Sequence, residues 1–131
     1  MIAADVDNDL FESDSSDGKD GGGMANLTYR ITALYSRRDA VLGASAGLKH
    51  FGTRRLGRSG LAARPPTNKD NVWDIDCSSF FPARVTGMEI HSAYFENDGV
   101  MKLVGDVLRG LDRSALESLG ETTGGAWPPA Q

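Results

Sequence analysis

The chain has 131 residues, 40% of them hydrophobic, with 18 acids against 14 lysines and arginines for a formal charge of −4. That length supports one hydrophobic core but not two. A single cysteine, Cys77, excludes an internal disulfide and any multi-cysteine zinc site, and no apolar run approaches the ~18 residues of a membrane span.

Residues 1–23 carry seven acids and one lysine and end in GGG, so this segment is −6 and residues 24–131 are +2. Asp5, Asp7 and Asp9 match the first ligand positions of a calcium loop, but Leu10 stands where glycine is required and Ser16 where a bidentate glutamate is required. With little to bury, the segment is expected to be a disordered acidic tail. LTYRITALY, residues 27–35, alternates apolar and polar side chains as a half-buried strand does. Ser36 and Asp39 have the spacing of a capping box, and Val41, Ala44, Leu48 and Phe51 follow at helical intervals. GTRRLGRSGLAARPPTNKDN, residues 52–71, reads as a loop. Two strands are expected next, VWDID (72–76) and RVTGMEIHSAYF (84–95). After an END turn, Val100, Leu103, Val104, Val107, Leu108 and Leu111 form one helical stripe. The order β-α-loop-β-β-α predicts a small α+β domain over residues 24–120, an antiparallel or mixed sheet covered by two helices, with a flexible tail over 121–131.

Few constellations suggest chemistry. GTRRLGRS, residues 52–59, has nearly the spacing of a phosphate-binding loop, but a helix precedes it where a strand is needed. Asp74 and Asp76 alternate on a strand, which suits either a divalent metal or the polar side of an edge strand. Cys77 and His91 would make a nucleophile and base if the fold joined them, although a buried cysteine and an exposed histidine are commoner. His50, near a helix end, is read as a partner for the helix dipole. The window Ala40–Lys69 holds Lys49, Arg54, Arg55, Arg58, Arg64 and Lys69 and no acid. Such a patch suits nucleic acid, an anionic membrane or an acidic protein surface.

YRITALYSRRD running into an apolar helix, ARP at 63–65, FPARV at 81–85 and VTGMEIHSAYFEND closing onto an amphipathic helix together resemble the matrix proteins of rhabdoviruses of the vesiculovirus kind. The resemblance spans residues 27–118 in pieces. It implies one α+β domain behind a disordered charged tail, in a structural protein that self-associates and bridges nucleocapsid to membrane. The expectation is therefore a non-enzymatic, cytoplasmic assembly protein with no cofactor, metal or catalytic residue. It would form homo-oligomers through Asp5, Asp7, Asp9, Glu12, Asp14 and Asp17, and hold anionic partners on the basic loop. The alternatives are a small nucleic-acid-binding or regulatory protein, and a metal-dependent enzyme centred on Asp74 and Asp76.

Overall fold

A computed structural model describes residues 1–12, 25, 27–49, 51–63 and 71–111. Its centre is a pair of parallel strands, β1 (Ile31–Tyr35) and β2 (Val72–Asp76), with Ile31 opposite Val72 and Tyr35 opposite Asp76. Parallel neighbours require a long crossover. Here it contains α1 (Ala40–Leu48) and α2 (Leu56–Ser59). Beyond β2 come a 3-10 turn (Ser78–Phe80), α3 (Gly87–Ala93), a second 3-10 turn (Tyr94–Glu96) and α4 (Asp98–Leu108).

The fold is α+β as expected, but the expected antiparallel or mixed sheet is not what forms. All five residues of β2 are buried and only Thr32 of β1 is half-buried. Such strands are covered on both faces, the normal condition of a parallel sheet. One face presents Leu34, Trp73 and Ile75 to Phe81, Ile90, Tyr94, Val100 and Leu103. The other presents Ile31, Ala33 and Val72 to Leu10, Phe11, Leu56 and Leu61.

That second face corrects the expectation of a disordered tail for its first half. Ile2 pairs in parallel with Leu34 at the edge of β1, Asp7 pairs with Arg55, and Leu10 and Phe11 are buried. Composition averaged over 23 residues hides these apolar side chains, which join Leu56 of α2 in covering the sheet's second face. Residues 13–24, including Asp14 and Asp17, lie outside the described residues, as do His50, Arg64, Lys69 and the expected tail at 121–131.

The stretch read as a third strand is helical over Gly87–Ala93. Thr86 caps it: its hydroxyl accepts from the Glu89 amide at 3.3 Å, and its own amide donates to the Glu89 carboxylate at 2.7 Å. This capping box sets the helix start against the strand preference of Val85, Ile90 and Tyr94. In α4 the expected stripe holds at Val100 and Leu103, which are fully buried, while Leu108 points out. Asp106, which is not part of that stripe, is also buried and pairs with Lys102 and Arg109. Among the described residues no helix is long and apolar enough to cross a membrane.

Candidate acid–base site

Parallel strands release their following turns at one common end, and binding sites in α/β sheets gather there. The chain leaving β1 runs through Ser36, Arg37, Arg38 and Asp39, and the chain leaving β2 runs through Asp76, Cys77 and Ser78. The Ser36 and Ser78 hydroxyls are 3.1 Å apart, and the Arg37 amide donates to Ser78 Oγ at 3.0 Å. The two turns are thereby held against each other.

Asp39, rather than Ser36, is the N-cap of α1. Its Oδ1 accepts from the Leu42 amide at 2.9 Å, and the residue is completely buried. A cap of this kind uses one carboxylate oxygen. The other, Oδ2, lies 2.8 Å from Nδ1 of His91, whose side chain is 37% exposed. With a carboxylate as acceptor, Nδ1 carries the proton and donates it, which leaves the Nε2 lone pair available to a ligand. Among the described residues the His91 ring makes no other hydrogen bond.

Three features bring His91 to Asp39 across 52 residues. Arg38 clamps the segment before α3, donating to the Phe81 and Val85 carbonyls at 2.7 Å each and to Pro82 at 3.2 Å. Gly87 lets α3 lie against the start of α1, since a β-carbon there would come within 2.6 Å of the Arg38 carbonyl oxygen and 3.0 Å of Ala40 Cβ. Ile90, fully buried beside His91, anchors the helix in the core. Beneath the pair, Tyr94 is fully buried and its hydroxyl has no partner among the described residues. Burial, then the nearby Cys77, Asp39 and Asp76, push its phenol pKa up and keep it neutral.

The residues singled out in the sequence are placed differently from expectation. Cys77 is buried, with its thiol directed at the Ile75 carbonyl 3.8 Å away rather than at His91. Burial first, and Asp76 second, raise its pKa, so the reactive thiolate is suppressed. Asp74 accepts from the Leu61 amide at 2.9 Å, and Asp76 accepts from Ser78 and pairs with Arg37. Both carboxylates hold loops, and among the described residues no three His, Cys, Asp or Glu side chains cluster as a metal site would.

The basic window is partly neutralised. Arg55 is buried, its Nε 2.7 Å from Asp5 and its Nη1 on Asp7. Arg58 donates to the Asp39 carbonyl, while Lys49 and Arg54 are exposed. Acidic segment and basic loop thus meet within one chain, through Asp5 and Asp7. Comparison with known proteins returns no match: no family model, no curated protein and no solved structure matches the chain.

Sequence reading missed Asp39 with His91 because it placed them on a cap and on a strand. The available signal was Thr86 followed by Glu89, which makes 87–93 a helix and turns His91 toward the end of β1.

Proposed function

We propose that Asp39 and His91 form the acid–base part of a hydrolytic centre acting on an ester or a related acyl compound. The observation that carries this reading is the 2.8 Å bond between His91 Nδ1 and a wholly buried carboxylate, with the rest of the ring left unbonded among the described residues. A histidine oriented by a third group in this way is the base of nucleophile–histidine–acid catalysis. His91 Nε2 takes a proton from a water or hydroxyl as its oxygen bonds to the substrate carbonyl carbon. The imidazolium so formed is stabilised by Asp39. As the bond to the leaving group breaks, Nε2 returns the proton to the departing oxygen. The chain order, a strand then Asp and a strand then His, is also the order in which α/β-hydrolases present acid and base. That is a likeness of arrangement, not of sequence.

The assembly role is implied by the resemblance to vesiculovirus matrix proteins, and it assigns self-association to the acidic segment that holds Asp5 and Asp7. Arg55 is instead matched to Asp5 and Asp7 of the same chain, which weakens the motive for a contact between copies.

Hydrolysis of 4-nitrophenyl acetate by the full chain provides the test. The rate should exceed that of free imidazole. His91→Ala should lower it roughly 10²–10⁴-fold, the range of general acid–base catalysis. Asp39→Asn, which keeps an acceptor for the Leu42 amide, should lower it through the wrong imidazole tautomer. A rate indifferent to both substitutions, in variants with unchanged circular dichroism, overturns the reading.

A further inference from the structure

A groove between β1 and α4 runs toward the start of β1, away from the Asp39–His91 pair that follows the strand's end. Its inner part, about 220 Å³, is walled by the apolar side chains of Ile2, Leu34, Val104 and Val107. Its outer part, about 530 Å³, runs past Tyr29 and Arg30. The two parts adjoin at Met1, Thr32, Val107 and Leu108. Among the described residues no acidic side chain lines either part.

Two observations mark the groove as unfinished. Leu34 and Thr32 alternate on one strand face, with Trp73 opposite Thr32. Leu34 and Trp73 belong to the core, but the Thr32 hydroxyl is buried with no hydrogen-bond partner among the described residues. A contact completed by the chain's own side chains leaves few such groups. Next to this face stands Arg30, its guanidinium carbon 4.4 Å from the centre of the Trp73 ring and 5.7 Å from that of Tyr29. Arg30 makes no hydrogen bond or ion pair among the described residues. The rings hold the guanidinium in place while its N–H donors stay unused.

A fork of that kind matches a carboxylate, which accepts two parallel hydrogen bonds from it. The surrounding charge favours the same ligand. Asp106, beside Val107 in α4, is already matched by Lys102 and Arg109. The C-terminal end of α4 reaches the groove at Leu108 and Gly110. Its closing carbonyls, Gly105, Asp106 and Val107, already accept from the amides of Arg109, Leu111 and Gly110, so its dipole opposes an anion less than Arg30 attracts one.

We infer that this groove binds an unbranched aliphatic carboxylate, with the head group on Arg30 and the alkyl chain along Leu34, Val104 and Val107. The walls beyond Arg30 are aliphatic and form a seam between a strand and a helix, which a straight chain follows better than a ring. The outer volume lies in the ~300–1,000 Å³ range of small-molecule sites. This binding is independent of the hydrolytic reading.

The probes are octanoate and its neutral counterpart octan-1-ol, titrated into isotope-labelled full-length chain and followed by NMR. Octanoate should give saturable shifts in the methyl groups of Leu34, Val104 and Val107 and in the Trp73 indole signal. Octan-1-ol should shift the same methyl groups but bind roughly three- to tenfold more weakly, as a charge-assisted pair partly screened by solvent allows. Arg30→Met should abolish that difference with circular dichroism unchanged. Absence of saturable methyl shifts, or equal affinity of the wild type for both probes, overturns the inference. A carboxylate preference that survives Arg30→Met overturns it too, since the attracting charge would then lie elsewhere.

Discussion

Asp39 follows β1 and Asp76 closes β2, and both carboxylates are buried at the same end of the sheet. Each uses one oxygen to accept a backbone amide of the turn that follows, Leu42 for Asp39 and Ser78 for Asp76, both at 2.9 Å. They differ in what meets the second oxygen. Asp76 meets Arg37, a permanent cation on a side chain 70% exposed, at 3.2 Å. Asp39 meets the imidazole of His91. A guanidinium holds all its protons across the accessible pH range, so the Asp76 pair can only fasten one turn to another. An imidazole can gain and lose a proton at its far nitrogen, so the Asp39 pair can fasten and also transfer.

The largest expected effect tests that contrast directly. Asp39→Ala removes both the cap and the partner of His91, and should cost roughly 2–4 kcal/mol in urea unfolding, a cap plus a charge-assisted hydrogen bond. Asp76→Asn retains an acceptor for Ser78 and gives up only its pairing with the exposed Arg37, so the cost should stay within about 1 kcal/mol. Equal costs would mean that the two turns are used alike.

Gly87→Ala should come next. Its β-carbon meets the Arg38 carbonyl, so α3 must move away from α1, at roughly 1–3 kcal/mol, the usual cost of overpacking. The downfield Nδ1 proton signal of His91 should weaken as the ring leaves Asp39. Gly47→Ala, in open space on the exposed side of α1, should instead be neutral or stabilising by up to about 1 kcal/mol. A Gly87 variant with the histidine signal intact would separate helix spacing from the acid–base pair.

The smallest effect concerns how α3 begins. The Thr86 backbone amide, then its hydroxyl, hold the Glu89 carboxyl below its ordinary pKa. The unfolded chain therefore takes up this proton at a higher pH than the folded one. The contribution is complete above the ordinary carboxylate pKa and disappears as pH falls through the lower folded value. Glu89→Gln should flatten that acidic part of the stability profile and leave the profile near neutrality unchanged. An unaltered acid limb would show that the capping box does not hold the helix that carries His91.

How much of this was legible in the sequence depends on which forces decided each element. In the sequence, the strand at 72–76 and the helix from Asp98 are legible and form as read, whereas the alternating strand expected over 27–35 forms only over Ile31–Tyr35, with Leu27 and Tyr29 exposed before it. Their pairing is not written there. Two short strands read the same way whether parallel or antiparallel, and it is the burial of both faces that reveals the crossover. The α3 helix was hidden because Val85, Ile90 and Tyr94 favour strands while four residues at its start, Thr86 to Glu89, favour a helix; the local hydrogen bonds prevail. Asp39 looked like part of a helix cap and is one. Its second role depends on a contact with a residue 52 positions away, which no local pattern encodes. Val41, Ala44 and Leu48 mislead for a different reason: they stand at helical intervals, yet the side of α1 that is buried carries Leu42 and Ser45, and Leu48 is exposed.

Gly57 in α2 has a consequence for the whole opening segment. A β-carbon at this position would collide with the backbone where Ala3 joins Ala4 and with Leu42, and the Gly57 amide donates to the Ala4 carbonyl at 2.9 Å. The first residues therefore cross α2 at the one place in that helix without a side chain. The layer that these dozen residues lay over the sheet thus depends on one bare position in a helix as well as on the Arg55 pairs with Asp5 and Asp7.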